Sequence, residues 1–156
     1  MTVIICLRKY KHSLHDAVQS GATLDRNVIL SGIAKGLQFL HDTLGLVHND
    51  INPTNIMLDD NGHPVIIDFD SCAKIGEDLD GRKGCTFGWV RKPEPHTSIV
   101  ANDEYALSLI TQYLDGKVGD DGFPVPLDVS ILTLSPMISF ISGFLRTDTV
   151  CMSITT

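Results

Sequence analysis

Apolar side chains recur with helical spacing between residues 24 and 44, where Leu30, Ile33, Leu37, Leu40 and Leu44 succeed one another at steps of 3, 4, 3 and 4. On a helix of 3.6 residues per turn this draws one stripe, so the segment is predicted to be an amphipathic helix. Thr23 or Asp25 can cap its start by accepting an orphan backbone N–H, and Gly45 supplies a left-handed stop. A second helix is predicted from a cap at Asn102 or Asp103 to about Asp115, before Gly116. Its apolar residues fall on nearly every side, which predicts burial all round. Ser13 can cap a shorter helix running through Val18 and ended by Gly21.

The strand signals are short. Val3 to Leu7 is an apolar run rich in β-branched residues, followed by a polar connector from Arg8 to His12. Ile56 to Leu58 and Val65 to Ile67 read as a hairpin joined by Asp59–His63, with Asn61-Gly62 offering the positive φ of a tight turn. His48 to Asn55 is then a polar loop before the hairpin, and Asp68 lies just past its end. Ser71 to Thr97 is rich in Gly, Lys, Asp and Pro, a loop long enough to suggest function. The pattern predicts an α+β fold, mostly helical, over residues 1–116, with 117–156 an unassigned C-terminal tail.

Composition narrows the possibilities. At 156 residues, 43% hydrophobic and 20% charged, the chain is one globular domain rather than a disordered segment. A net charge of −7 offers no general attraction to nucleic acid or to an anionic membrane, although it suits a site that recruits a divalent cation. Cys6, Cys72, Cys85 and Cys151 form no CxxC pair and read as reduced thiols. The amino terminus has the wrong charge order for a signal peptide. Val129 to Leu145 is uncharged but interrupted by serines, Pro136 and Gly143, so it reads as an apolar tail rather than a membrane span. A cytoplasmic or nuclear location is expected.

The chemistry concentrates in three residues. Asp50 and Asn55 share a loop, and the hairpin returns the chain to place Asp68 near them. Two carboxylates and an amide oxygen are hard ligands suited to Mg²⁺, which takes few protein ligands and completes its shell with water and phosphate oxygens. A remaining carboxylate can accept a hydrogen bond from an incoming hydroxyl, as phosphoryl transfer requires.

HNDINPTN, His48 to Asn55, resembles the H-R-D-x-K-x-x-N catalytic loop of protein kinases, and IDFD, Ile67 to Asp70, resembles their D-F-G motif. The resemblance implies a catalytic role for Asp50, Mg²⁺ ligation by Asn55 and Asp68, and support from His48 beneath the loop and from Phe69. Gly84 to Trp89 with Lys92-Pro93-Glu94 is similar to an activation segment closing on A-P-E, with Glu94 its glutamate. Asn102 to Leu107 resembles the start of the family's central helix, where the aspartate matching Asp103 braces the catalytic loop. The ordered set covers Val3 to Leu114. It implies a mostly helical large lobe, ATP and Mg²⁺ as cofactors, and a protein substrate.

Four departures qualify that picture. Asn49 replaces the arginine that pairs with a phosphorylated activation loop, Asn52 the catalytic-loop lysine, Asp70 the glycine of D-F-G, and Lys92 the alanine of A-P-E. The glycine-rich loop and V-A-I-K lysine of the small lobe have no counterpart, so the resemblance is to a large-lobe fragment with the apolar floor of its nucleotide cleft exposed. Three functions are compatible with it: a Ser/Thr-type protein kinase transferring the ATP γ-phosphate to a protein hydroxyl, a non-catalytic pseudokinase-like binding module, or a small-molecule phosphotransferase of the aminoglycoside or choline type. Asp70 suits the last. Thr86 is a possible phosphorylation site.

Overall fold

The computed structural model describes residues 9–81 and 84–125. The expected strand Val3–Leu7 and the apolar run Val129–Leu145 lie outside them.

The first two helices begin where the sequence provides a side-chain oxygen for their first N–H groups. Helix α1, Leu14–Gln19, opens on a capping box. Ser13 Oγ accepts from Asp16 N at 3.1 Å and Asp16 Oδ2 accepts from Ser13 N at 3.0 Å. Helix α2, Arg26–Gln38, is capped by Asp25, whose Oδ1 accepts from the backbone of Asn27 and Val28. It buries Ile29, Ile33 and Leu37. It then passes into a π-helical turn, Phe39–Thr43, with Leu40 buried and Leu44 about half exposed. A π turn adds one residue and rotates the rest of the helix by roughly 100°. That is why the predicted stripe fails at its last position.

Two small sheets lie beside these helices. Strands β1 (His12–Ser13), β3 (Ile56–Leu58) and β4 (Pro64–Ile66) form an antiparallel sheet in the order β1-β3-β4, with Ile56 opposite Ile66 and Leu58 opposite Pro64. The hairpin therefore has the expected five-residue loop, Asp59–His63, with its second strand starting one residue earlier than predicted. Asp59 Oδ1 accepts from Asn61 N and His63 N, and Gly62 alone of the loop has positive φ, 80°. Strands β2 (Leu46–Val47) and β5 (Ala73–Lys74) pair antiparallel on the other side of the polar loop.

Helix α2 lies unusually close to β4. A Cβ at Gly32 would stand 2.4 Å from Pro64 Cγ, and one at Gly36 would stand 2.9 Å from Ile66 Cδ1. The two glycines, one turn apart, thus allow helix and hairpin to touch.

Helix α3, Val100–Leu114, starts three to four residues earlier than expected, with Ile99 at its cap position and no side-chain cap. Asn102 and Asp103 lie inside the first turn, their side chains committed to tertiary contacts. The helix is buried on one face, by Ala106, Leu109, Ile110 and Tyr113, while Glu104, Tyr105 and Ser108 are exposed. Burial all round does not hold.

Leu14, Ile29, Ile33, Ile51, Ile56, Trp89 and Ile110 centre one core joining all three helices. Packing continues past α3 to Val125 through a Val118–Pro124 bridge and a Val125 N to Lys117 O bond of 2.9 Å. The long segment after β5 is also tied down. Gly76 N bonds Ser98 O, Ser98 N bonds Glu77 O and Leu79 N bonds His96 O, all within 2.8 Å, so the chain between them is a closed excursion.

Candidate active site

The loop from His48 to Asn55 is held from behind by Asp103. This fully buried carboxylate accepts from His48 N on Oδ2 and from Asn49 N on Oδ1, each at 2.8 Å, and His41 Nε2 lies 2.8 Å from Oδ2. A buried carboxylate is tolerated only when its lone pairs are filled, and here two backbone donors and an imidazole fill them. The π turn at Phe39–Thr43 presents His41 to this bond.

Asn49 takes φ of 62°, a left-handed conformation that asparagine tolerates better than most residues. Its Nδ2 donates to Ser98 Oγ at 3.0 Å and to the carbonyls of Val47 and Ser71, and its Oδ1 accepts from Asn102 Nδ2 at 3.0 Å. A neutral amide therefore joins the loop to the start of α3 and the end of the excursion. No charge pair is involved.

Asp50 is 9% exposed, and its carboxylate accepts three bonds. Thr86 N donates to Oδ1 at 2.7 Å, Asn52 Nδ2 to Oδ1 at 3.3 Å, and Asn55 Nδ2 to Oδ2 at 3.1 Å. Asn52, 2% exposed, also reaches Thr86 Oγ1 at 3.0 Å. Its Oδ1 caps the 3-10 turn Pro53–Asn55 by accepting from Thr54 N and Asn55 N. One side chain thus fixes both Asp50 and the turn that presents Asn55.

Asp68 is brought to this group through its neighbour. Ile67 N donates to Asn55 O at 2.9 Å, and His48 Nε2 lies 3.0 Å from Ile67 O. Asp50 N donates to His48 Nδ1 at 3.3 Å, so Nδ1 carries the lone pair and Nε2–H donates to Ile67. The His48 ring also lies 5.3 Å from that of Phe69. Asp68 itself is exposed, with φ of 61°, at the start of the 3-10 turn Phe69–Ser71. Asp50 and Asn55 are in direct contact, Asp68 follows their backbone tie, His48 and Phe69 lie beneath, and Asp103 braces from behind. Glu94 stands apart from this group. It is exposed and accepts the Cys85 thiol at 3.5 Å.

The thiols are ill suited to nucleophilic work. Burial raises Cys72 to about 11, helped by the charge of Asp103. Burial and then the Glu94 hydrogen bond raise Cys85 to about 11. Both cysteines are free.

The His41–Asp103, Asn49–Ser98 and Asn52–Thr86 contacts had no signal in local spacing, because the partners lie 34 to 62 residues apart, whereas the cap that Asn52 places on Pro53–Asn55 is local. A helix ending one turn before a polar loop was the clue available for His41.

A sequence model of the protein kinase domain matches residues 3–106. The chain is 32% identical over 117 residues to cysteine-rich receptor-like protein kinase 6 of Oryza sativa subsp. japonica, covering 68% of this chain and 16% of that protein. It is 47% identical over 58 residues to cysteine-rich receptor-like protein kinase 45 of Arabidopsis thaliana, covering 36% of this chain and 16% of the relative. It is also 42% identical over 78 residues to G protein-coupled receptor kinase 2 of Drosophila melanogaster, covering 49% and 10%. The chain thus spans about a sixth of the length of these relatives or less. With a match over two thirds of its length, and with the loop, hairpin and bracing aspartate in the arrangement described, the chain belongs to the protein kinase family.

Proposed function

We propose that this chain carries the phosphate-transfer face of a Ser/Thr-type protein kinase, which moves the γ-phosphate of ATP to a hydroxyl of a protein substrate. The supporting observation is the Asp50–Asn55 contact, tied through Ile67 to Asp68. Asp50 would accept a hydrogen bond from the substrate hydroxyl and orient it in line with the phosphoryl group.

The donor set fits Mg²⁺. Both Asn55 amide hydrogens point at Asp50, which leaves the amide oxygen as a hard ligand, and Asp68 adds a carboxylate. Among the described residues no three His, Cys, Asp or Glu side chains could hold a metal together. Mg²⁺ is commonly held by one or two protein ligands, with phosphate oxygens and water completing its shell. When bound, Mg²⁺ supplies charge neutralisation at the phosphate oxygens.

The protein's own work is positioning. Asn52 holds Asp50 and turns the loop, but as a neutral residue it contributes no cation facing the phosphate. Thr86 N–H orients the Asp50 carboxylate from the substrate side. A second reading, a non-catalytic binding module, is favoured by the same bonds, since Asp50 is already engaged by three donors, all of them neutral.

Thermal unfolding with and without Mg·ATP separates the two. A stabilisation that vanishes in Asp68→Ala supports the phosphotransfer site, and no shift at millimolar ATP refutes it. Transfer to a serine peptide but not to an amino alcohol then favours the protein kinase over a small-molecule phosphotransferase.

A further inference from the structure

We propose that the cavity between α3 and the segment 88–92 reads an acidic side chain on the acceptor polypeptide, with Lys92 and Arg91 as its cations and Phe123 as its apolar wall. The inference rests on the phosphotransfer reading for what Asp50 presents, and it names the substrate feature selected beside Asp50.

Position comes first. Thr86 N–H bonds the Asp50 carboxylate, and the next residue, Phe87, is 72% exposed. The Phe87 ring lies 5.5 Å from that of Phe123, and the Lys92 ammonium sits over both, 4.7 Å and 5.0 Å from their centroids. Cation–π contact holds the ammonium in place without neutralising it.

The scaffold under this arrangement is rigid. Gly88 and Gly122 meet backbone to backbone at positive φ; a Cβ on Gly122 would lie 2.4 Å from Gly88 O. This contact closes the turn 119–122 against the segment and fixes Phe123 opposite Phe87. Behind them opens a cavity of about 410 Å³ lined by Arg91, Lys92, Tyr105, Gln112, Val118 and Phe123 among others.

Charge then decides the ligand. The whole chain has 19 acidic against 12 basic residues, yet no acid lines this cavity. The carboxylates nearest in sequence are bound elsewhere. Glu94 accepts from Cys85, Asp115 pairs with Arg26 and Lys117, Asp120 accepts from Gln19 and Tyr113, and Asp121 accepts from Phe123 N. Neither Arg91 nor Lys92 has a carboxylate partner among the described residues. A carboxylate from outside would complete them, with its methylenes against Phe123.

The test is equilibrium binding by fluorescence anisotropy with the full chain and labelled serine peptides that carry glutamate, glutamine or lysine at the flanking positions. The expected result is about fivefold tighter binding of the glutamate peptide than of the lysine peptide, a preference that shrinks as salt is raised. Lys92→Ala should remove the preference, Lys92→Glu should reverse it and Lys92→Arg should keep it, with the fluorescence of the single tryptophan, Trp89, reporting that each variant is folded. Equal binding of the three peptides, absence of binding at millimolar peptide, or an unchanged preference in a folded Lys92→Glu protein would overturn the proposal. Because the assay contains no nucleotide, its failure is separate from a failure of Mg·ATP to bind.

Discussion

Asp103 shows how much one side chain carries here. Its two oxygens serve the backbone N–H groups of His48 and Asn49 and the ring of His41, all inside the protein. Replacing it with alanine strands those donors without water, and leaving buried donors unpaired costs about 1–3 kcal/mol each before any relaxation. Asp103→Ala should therefore lower unfolding free energy by about 3 kcal/mol or more in urea titrations, with Asp103→Asn losing less because one acceptor remains. A loss below about 1 kcal/mol for the alanine variant would mean the loop is held by something else. The nearness of Asp50 and Asn55 was legible because they lie five residues apart in one loop, and the return of the chain to Asn55 at Ile67 because a hairpin brings it back. Asn102 and Asp103 read as helix caps because a cap is the local use of those side chains. The long-range use prevailed, since two backbone N–H groups buried under the site needed an acceptor more than the exposed helix start did.

At the scale of elements, the α2–β4 contact and the α1 cap make opposite demands on composition. Gly32 lies mid-helix, where alanine would raise helix propensity by up to about 1 kcal/mol, but its Cβ would run into Pro64. Crowding of this kind costs about 1–3 kcal/mol, so Gly32→Ala should destabilise on balance, and a more stable variant would show that Pro64 can move aside. The capping box makes α1 sensitive to acid. The backbone N–H and hydroxyl of Ser13 hold the Asp16 carboxyl below its ordinary 3.8. A carboxyl depressed in the folded state stabilises above its unfolded value and loses that contribution as pH falls through the folded one. Amide exchange protection in residues 14–19 should therefore fall as pH drops below about 4, and Asp16→Asn should abolish that dependence. The starts of α1 and α2 were legible because caps are local chemistry. The π turn was not, because nothing in Phe39–Thr43 marks the point where tertiary contact with Asp103 prevails over regular hydrogen bonding.

Across the whole molecule, the described residues leave one apolar face open. Phe39, Leu44 and Phe69 are each about half exposed, and with Gly32, Gly36 and Ile66 they line a groove of about 420 Å³ between α2 and β4. The π turn creates part of it by rotating Leu44 out of the core, and the glycines keep its floor low. Exposed apolar surface was expected from the likeness to a nucleotide cleft, whereas its position on α2 results from that turn and those glycines. Exposed apolar surface of this size binds hydrophobic dyes even when a protein is fully folded. The folded chain should enhance the fluorescence of an anilinonaphthalene sulfonate probe, and Phe39→Ser combined with Leu44→Ser should remove at least about half of that signal. Since neither side chain belongs to the buried cluster, the double variant should change unfolding free energy by no more than about 1 kcal/mol. Undiminished dye binding would mean that the groove is closed in solution. A large stability loss would mean that the two side chains are buried there, against something the described residues do not include.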